Sequence, residues 1–332
     1  MSTLYLIEPG SRLEKEYGRL LIVKDDEVLF RVPIRRVTQV VLIGHTGTTT
    51  PALQALLHHK IPLLLVNRNG KLRGRLLPAT HGNLPLRQQQ HRRNDDTNFC
   101  LRYARALIAA KIHNQRTLAL RLARRHSHLD TTALPHLKKA IITAQQADSI
   151  NTLMGIEGMA ARHYFHLYRQ AFASRWQFTN RNRRPPKDPV NALLSLGYTF
   201  LGHAMMTALE AAGLDPYLGY FHAEKYNRPA LALDLLELFR APVVDSLTLV
   251  LLNKQVLRPT DFQVNPKTGG IYLSNRGLRR FLQQFSSRLE SEIKVRELGR
   301  TISYRKLFEV EARKIARFIM NDTEPYQPFR AR

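Results

Sequence analysis

The chain has 332 residues, 44% of them hydrophobic, which is long enough for two cored domains and excludes a disordered basic tail or a disulfide-stapled minidomain. Lys and Arg number 51 against 26 Asp and Glu, a formal charge of +25 that asks for a polyanionic partner. One cysteine, Cys100, a start (MSTLYLIEPGSRLEKEYG) without the pattern of a secretory signal, and apolar runs such as 61–66 and 247–252, far below the roughly 20 residues of a membrane span, point to a cytoplasmic protein without a membrane segment.

Residues 3–76 read as short strands at 4–7, 19–24, 28–32, 37–42, 63–66 and 72–76, punctuated by Pro9-Gly10, Asp25-Asp26, 44–47 and Asn69-Gly70. One helix interrupts them, with Thr50 as N-cap and Pro51 at its first position. The reading is a small β domain over 1–78. Residues 79–96, rich in Gly, Pro, Gln, Asn and Arg, read as a linker.

Beyond it the apolar period becomes helical, and 97–332 reads as one helical domain. Helices are expected over 97–125, 133–147 and 150–172. FTNRNRRPPKDP breaks the series, and Asp188 then caps a helix that opens on Pro189 and ends before Gly213. A turn-rich connection, GLDPYLGYFHAEKYNRP, leads to a helical run over 230–252 bent near Pro242. A hairpin with a Gly269-Gly270 turn and helices over 276–296 and 304–320 complete the chain. The fold class is therefore α+β, β-rich first and all-α second.

Acidic residues are scarce, so those set in apolar sequence are conspicuous. Asp234 and Glu237 in LALDLLELFR share one side of a helix, and burying two like charges together demands a cation, either a metal or an arginine such as Arg240. Glu157 stands between Gly155 and Gly158 in an otherwise strong helix, where two glycines suggest close approach of another element or a ligand. His222 ends PYLGYFH. Each residue alone has an ordinary reading as a surface charge, an ion pair or a core histidine. Together, one histidine and two or three carboxylates from separate segments make an oxygen-rich set suited to Mg²⁺ or Mn²⁺ rather than structural zinc. No GxSxG, Walker or HExxH motif supports a covalent or nucleotide-hydrolysing mechanism. Arginines spread through folded segments favour nucleic acid over a membrane surface as the polyanion.

The ordered segments LYLIEPGSRL, VVLIGHTGTTTPALQALLHHKIPLLLVNRNGKLRGRL, GIEGMAARHYF, NRRPPKDPVNALLSLGYTFL, GLDPYLGYFH and LALDLLELFR resemble the CRISPR-associated spacer-integration nuclease family, Cas-one, in a form like that of type I systems. The resemblance implies an N-terminal β-sandwich-like domain, a helical catalytic domain, and a homodimer joined through the N-terminal domains, two of which flank a dimer of the small Cas-two protein. It places the family's metal ligands on Glu157, His222 and Glu237 and a further catalytic acid on Asp234, with Mg²⁺ or Mn²⁺ as cofactor. It puts DNA contacts on Arg181, Arg183, Arg184 and Lys187. The implied activity is metal-dependent transesterification, in which the 3′-hydroxyl of short double-stranded DNA attacks the CRISPR repeat boundary. A metal-dependent nuclease acting on branched DNA without integration is the alternative.

Overall fold

The short strands at the N-terminal end, rich in Leu, Val and Ile, assemble as two four-stranded sheets rather than one. The computed structural model describes residues 2–78, 83–182, 185–222, 226–321 and 323–332, except the side chains of Ser2 and Arg296. In the first sheet β1 (Ser2–Leu6) pairs in parallel with β5 (Val37–Ile43), β5 with β7 (Leu63–Val66), and β7 antiparallel with β8 (Leu72–Leu76). The second has the order β4-β3-β2-β6, from β2 (Arg12–Glu16), β3 (Arg19–Lys24), β4 (Glu27–Pro33) and β6 (Gly47–Thr48). The β3–β4 turn holds Asp25 and Asp26 at φ 49° and 61°, the left-handed pair that a tight hairpin requires. Helix α1 (Thr50–His58) is capped by Thr49, whose side chain accepts from the Ala52 N–H; the cap lies one residue before the expected Thr50. Leu6, Leu13, Leu20, Val40, Leu42, Leu56 and Leu63 form the shared core.

Residues 79–82 lie outside the described set, but Leu84–Asn94, within the stretch read as linker, is helix α2. Its Asn83 cap and Pro85 start it, and it buries only Leu86 and Gln90, so composition concealed it. There follow α3 (Thr97–Arg125), α4 (Ala133–Gln146), α5 (Ile150–Arg169), α6 (Pro189–Ala211), α7 (Ala230–Glu237) and α8 (Ser246–Asn253). Side chains of Asp96, Ser149 and Asp188 cap α3, α5 and α6, as their short polar groups favour. The bend expected at Pro242 is a π-helical segment, Arg240–Asp245, in which the proline's missing N–H is accommodated. Strands β9 (Phe262–Val264) and β10 (Ile271–Leu273) form the expected hairpin.

The reading of one helix over 276–296 is corrected. Helix α9 spans Asn275–Glu290, packs within the first unit beside β1, and is followed by a second hairpin, β11 (Glu292–Val295) with β12 (Arg300–Ser303), before α10 (Tyr304–Met320). The alternating residues of EIKV and RTIS pair across a turn at Gly299, φ 61°, a period the helical reading overlooked. The two compact units are thus the N-terminal strands with Ser274–Glu290, and the remaining helical segments. Helix α6 is long and apolar enough to cross a membrane, but 67% of that window is buried inside the protein, as befits a core helix. The C-terminal segment also packs: Tyr326, Phe329 and Ala331 are buried, and Asn114 of α3 binds the Phe329 carbonyl and the Ala331 N–H.

Candidate active site

The loop after α6 owes its path to groups from three elements. Gly213, at φ 85°, closes α6, and the Leu214 N–H returns to the Leu209 carbonyl. Gln90, fully buried on α2, donates to the Asp215 and Leu218 carbonyls and accepts from the Asp215 N–H. Gly219 runs so close to the start of α7 that a Cβ there would stand 2.7 Å from the Ala230 carbonyl carbon. The loop is thereby pressed onto α7 with His222 at its end.

Asp234 holds that end in place. It is fully buried, one oxygen accepts from the Tyr220 and Phe221 N–H groups at 2.9 and 3.1 Å, and the other accepts from the His222 N–H at 3.0 Å and stands 2.7 Å from His222 Nδ1. An anionic acceptor at Nδ1 puts the proton there and leaves Nε2 as the nitrogen able to bind a cation. Nε2 faces Glu237, with 3.8 Å to Oε1. Four hydrogen bonds use up Asp234, so it orients His222 and the loop rather than facing the centre.

Glu237, 4% exposed, receives Arg240 Nη2 on Oε1 at 2.9 Å and Lys111 Nζ at 2.6 Å from Oε2. Burial alone would raise its carboxyl; Arg240, Lys111 and His222 outweigh that and hold it down to about 2. Of the two cations the sequence left open, the arginine is the one in place, and Glu237 still faces the histidine. Glu157 of α5 also contacts the Lys111 ammonium. Its flanking Gly155 and Gly158 are exposed, and an added Cβ would meet nothing within 4 Å, so no element of the described chain accounts for these glycines.

Lys111 escaped the sequence reading, although a signal was present: Leu107, Lys111, Asn114 and Leu118 follow the buried face of α3, where an unpaired cation has no place. A second group missed is Asp245. Its carboxylate accepts from Tyr164 at 2.7 Å and Tyr198 at 2.5 Å, and the Tyr198 ring lies under the Arg240 guanidinium at 4.7 Å. Burial raises the Asp245 carboxyl despite those hydroxyls. The network ties α5 and α6 to the segment bearing Arg240.

Of the basic residues expected on DNA, Arg181 is directed inward, to Asn191 Oδ1 at 2.7 Å and Ser195 Oγ at 3.1 Å, and Lys187 is exposed. Arg183 and Arg184 lie outside the described residues. A separate cavity of about 930 Å³ in the helical unit is lined by Arg102, Arg105, Arg121, Lys314 and Arg330.

Among the described residues no three His, Cys, Asp or Glu side chains gather tightly enough to cage a metal by themselves. The donors nevertheless fit one: two carboxylates from α5 and α7 converge on a single cationic group, with an oriented imidazole beside them. The family model of CRISPR associated protein Cas1 matches residues 4–287. A CRISPR-associated endonuclease Cas1 of Moorella thermoacetica is 32% identical over 99% of this chain and 98% of that protein. A Cas4/Cas1 fusion of Geobacter sulfurreducens is 36% identical over 98% of this chain, which spans 60% of that longer protein. Among solved structures, a Cas6-RT-Cas1–Cas2 complex superposes with a TM-score of 0.83 at 27% identity, over 99% of this chain and 36% of that one. The chain belongs to the Cas1 family of CRISPR-associated endonucleases.

Proposed function

We infer that this chain inserts new spacers into a CRISPR array by metal-dependent transesterification. The observation that supports it most is the convergence of the Glu157 and Glu237 carboxylates on one cation beside an imidazole whose other nitrogen is already engaged by Asp234. Glu157, His222 and Glu237 would hold Mg²⁺ or Mn²⁺, which supplies Lewis acidity for the attacking hydroxyl and the target phosphate. The 3′-oxygen of the incoming duplex bonds to the phosphorus at the repeat's 5′ end as the bond to the 3′-oxygen of the flanking DNA breaks; one hydroxyl proton is lost and one is gained by the leaving oxygen.

The residues of the chain divide the remaining tasks. Asp234 fixes the imidazole, Arg240 balances the buried Glu237, and the exposed glycines of α5 leave room for a backbone to approach Glu157. The +25 charge binds phosphate without reading sequence, with Lys187 and the neighbouring Arg183 and Arg184 as contacts. Arg181 contributes by holding Asn191 near the start of α6. Two homodimers, each joined through the N-terminal units and together flanking a Cas2 dimer in a reducing cytoplasm, are the assembly this reading entails, with dimerisation assigned to the N-terminal strands with Ser274–Glu290 and catalysis to the remaining helical segments, α2 among them.

The test joins a labelled short duplex with 3′-hydroxyl ends to a supercoiled plasmid carrying a CRISPR array, with Cas2 and Mn²⁺. Joined, nicked plasmid made by the wild type and lost with His222→Ala, while DNA binding persists, is the expected result. Cutting of branched DNA without joining would replace integration by a structure-specific nuclease.

A further inference from the structure

The proposed chemistry leaves Lys111 unused. Its side chain is 7% exposed, it rises from the buried face of α3, and its ammonium contacts Glu157 and lies 2.6 Å from Glu237 Oε2. A buried ammonium is costly unless carboxylates offset it, and here the offset comes from two acids on two other helices. Nor is the meeting loose. Asn114, one turn along α3, donates to the Leu238 carbonyl at 2.8 Å, so the register between α3 and the end of α7 is pinned beside the contact.

An ammonium and a divalent ion make the same demand on these oxygens, and one set of carboxylates cannot serve both at full strength. We propose that Lys111 is an internal occupant of the cation position: it bridges Glu157 and Glu237 in the metal-free chain and is expelled when a divalent ion takes those oxygens. The inference rests on the metal-centre reading above. It has two consequences. Without a metal, Lys111 keeps two carboxylates from repelling one another and so preserves the site. With one, breaking both ion pairs is part of the binding free energy, so the lysine weakens metal binding in the absence of DNA.

Mn²⁺ binding to the full chain without DNA, read from the electron paramagnetic resonance signal of the free aquo ion, tests this in wild type, Lys111→Met and Glu157→Gln. The expected result is one site in the wild type, weakened in Glu157→Gln and tightened roughly tenfold or more in Lys111→Met. Weakening in Glu157→Gln with unchanged or weaker binding in Lys111→Met overturns the occupancy while leaving the metal centre standing. Equal binding by wild type and Glu157→Gln removes the metal centre, and the occupancy falls with it. Should Lys111→Met unfold without metal, Lys111→Gln and thermal unfolding decide: Mn²⁺ must raise the melting temperature more in the variant than in the wild type, and an equal rise overturns the proposal.

Discussion

Replacing Asp234 by asparagine tests how the loop and its histidine are held. The two carboxylate oxygens of the fully buried Asp234 accept three backbone N–H groups and face His222 Nδ1, all at 2.7–3.1 Å. Asparagine keeps one acceptor oxygen and turns an NH₂ toward two donors, whichever way it is flipped. At least two hydrogen bonds to an anion are lost, each worth about 1.5–3 kcal/mol, and at least one backbone N–H is left without an acceptor. The loss is therefore about 3–6 kcal/mol, or on the order of 10 °C in melting temperature for a helical unit of this size. Calorimetry on wild type and Asp234→Asn, with nuclease activity measured alongside at a temperature where both are folded, reads both effects. Activity is expected to fall at least as far as for His222→Ala, because the freed imidazole no longer presents Nε2. A variant that melts within 2 °C of the wild type and cuts DNA normally would refute the claim that Asp234 supports this loop.

Glu237 gives a pH prediction. Its folded value of about 2 lies below the ordinary 4.5, so its contribution of about 3 kcal/mol is fully present above 4.5 and is lost as pH falls from 4.5 toward 2; urea midpoints between pH 6 and 3 should fall more steeply for wild type than for Glu237→Gln. Gly219→Ala drives a Cβ to 2.7 Å from the Ala230 backbone and should destabilise by about 1–3 kcal/mol, with loss of cleavage, which urea unfolding and a nicking assay report together. Gly155→Ala meets no atom within 4 Å and should stabilise α5 by roughly 0.5–1 kcal/mol, yet slow cleavage if DNA passes over this face; unchanged turnover would place the substrate elsewhere. DNA affinity should fall linearly with salt on logarithmic axes, and survive a chelator that stops cleavage.

The parts of the fold legible in the sequence are those where local signals agree. Helix α10 matches its expected bounds at Tyr304–Met320, and α3 at Thr97–Arg125, because apolar period, N-cap and following polar residues all point the same way. Strand β2 was not legible. RLEKE buries Leu13 alone of its five residues, and its place comes from pairing with β3 rather than from its own composition. Helix α2 failed for a related reason: Gln90 is buried to bind loop carbonyls of the helical unit, and a polar residue with that task resembles linker sequence. The departure of α9 from the helical unit is a tertiary choice that no local pattern records.

The same division explains the site. Acids set in apolar helices stand out because their burial needs a compensating charge, and that physical demand singles out Asp234 and Glu237 from sequence, while the glycines on either side of Glu157 mark the third acid. It applies equally to a base. Lys111 sits between Ala110 and Ile112 on the face that also buries Leu107 and Leu118, so in a chain with 51 basic residues it was hidden by number, not by lack of a signal. Counting charges by helical face rather than along the chain would have paired it with the acids. A core cation and a core acid must meet, or each would be stranded without water, and the half-buried Glu157 joins them from a third helix. The site is consequently bound up with the packing of α3, α5 and α7: any change that shifts one of these helices separates charges that are tolerable only together, so its effect on the reaction should exceed its effect on stability.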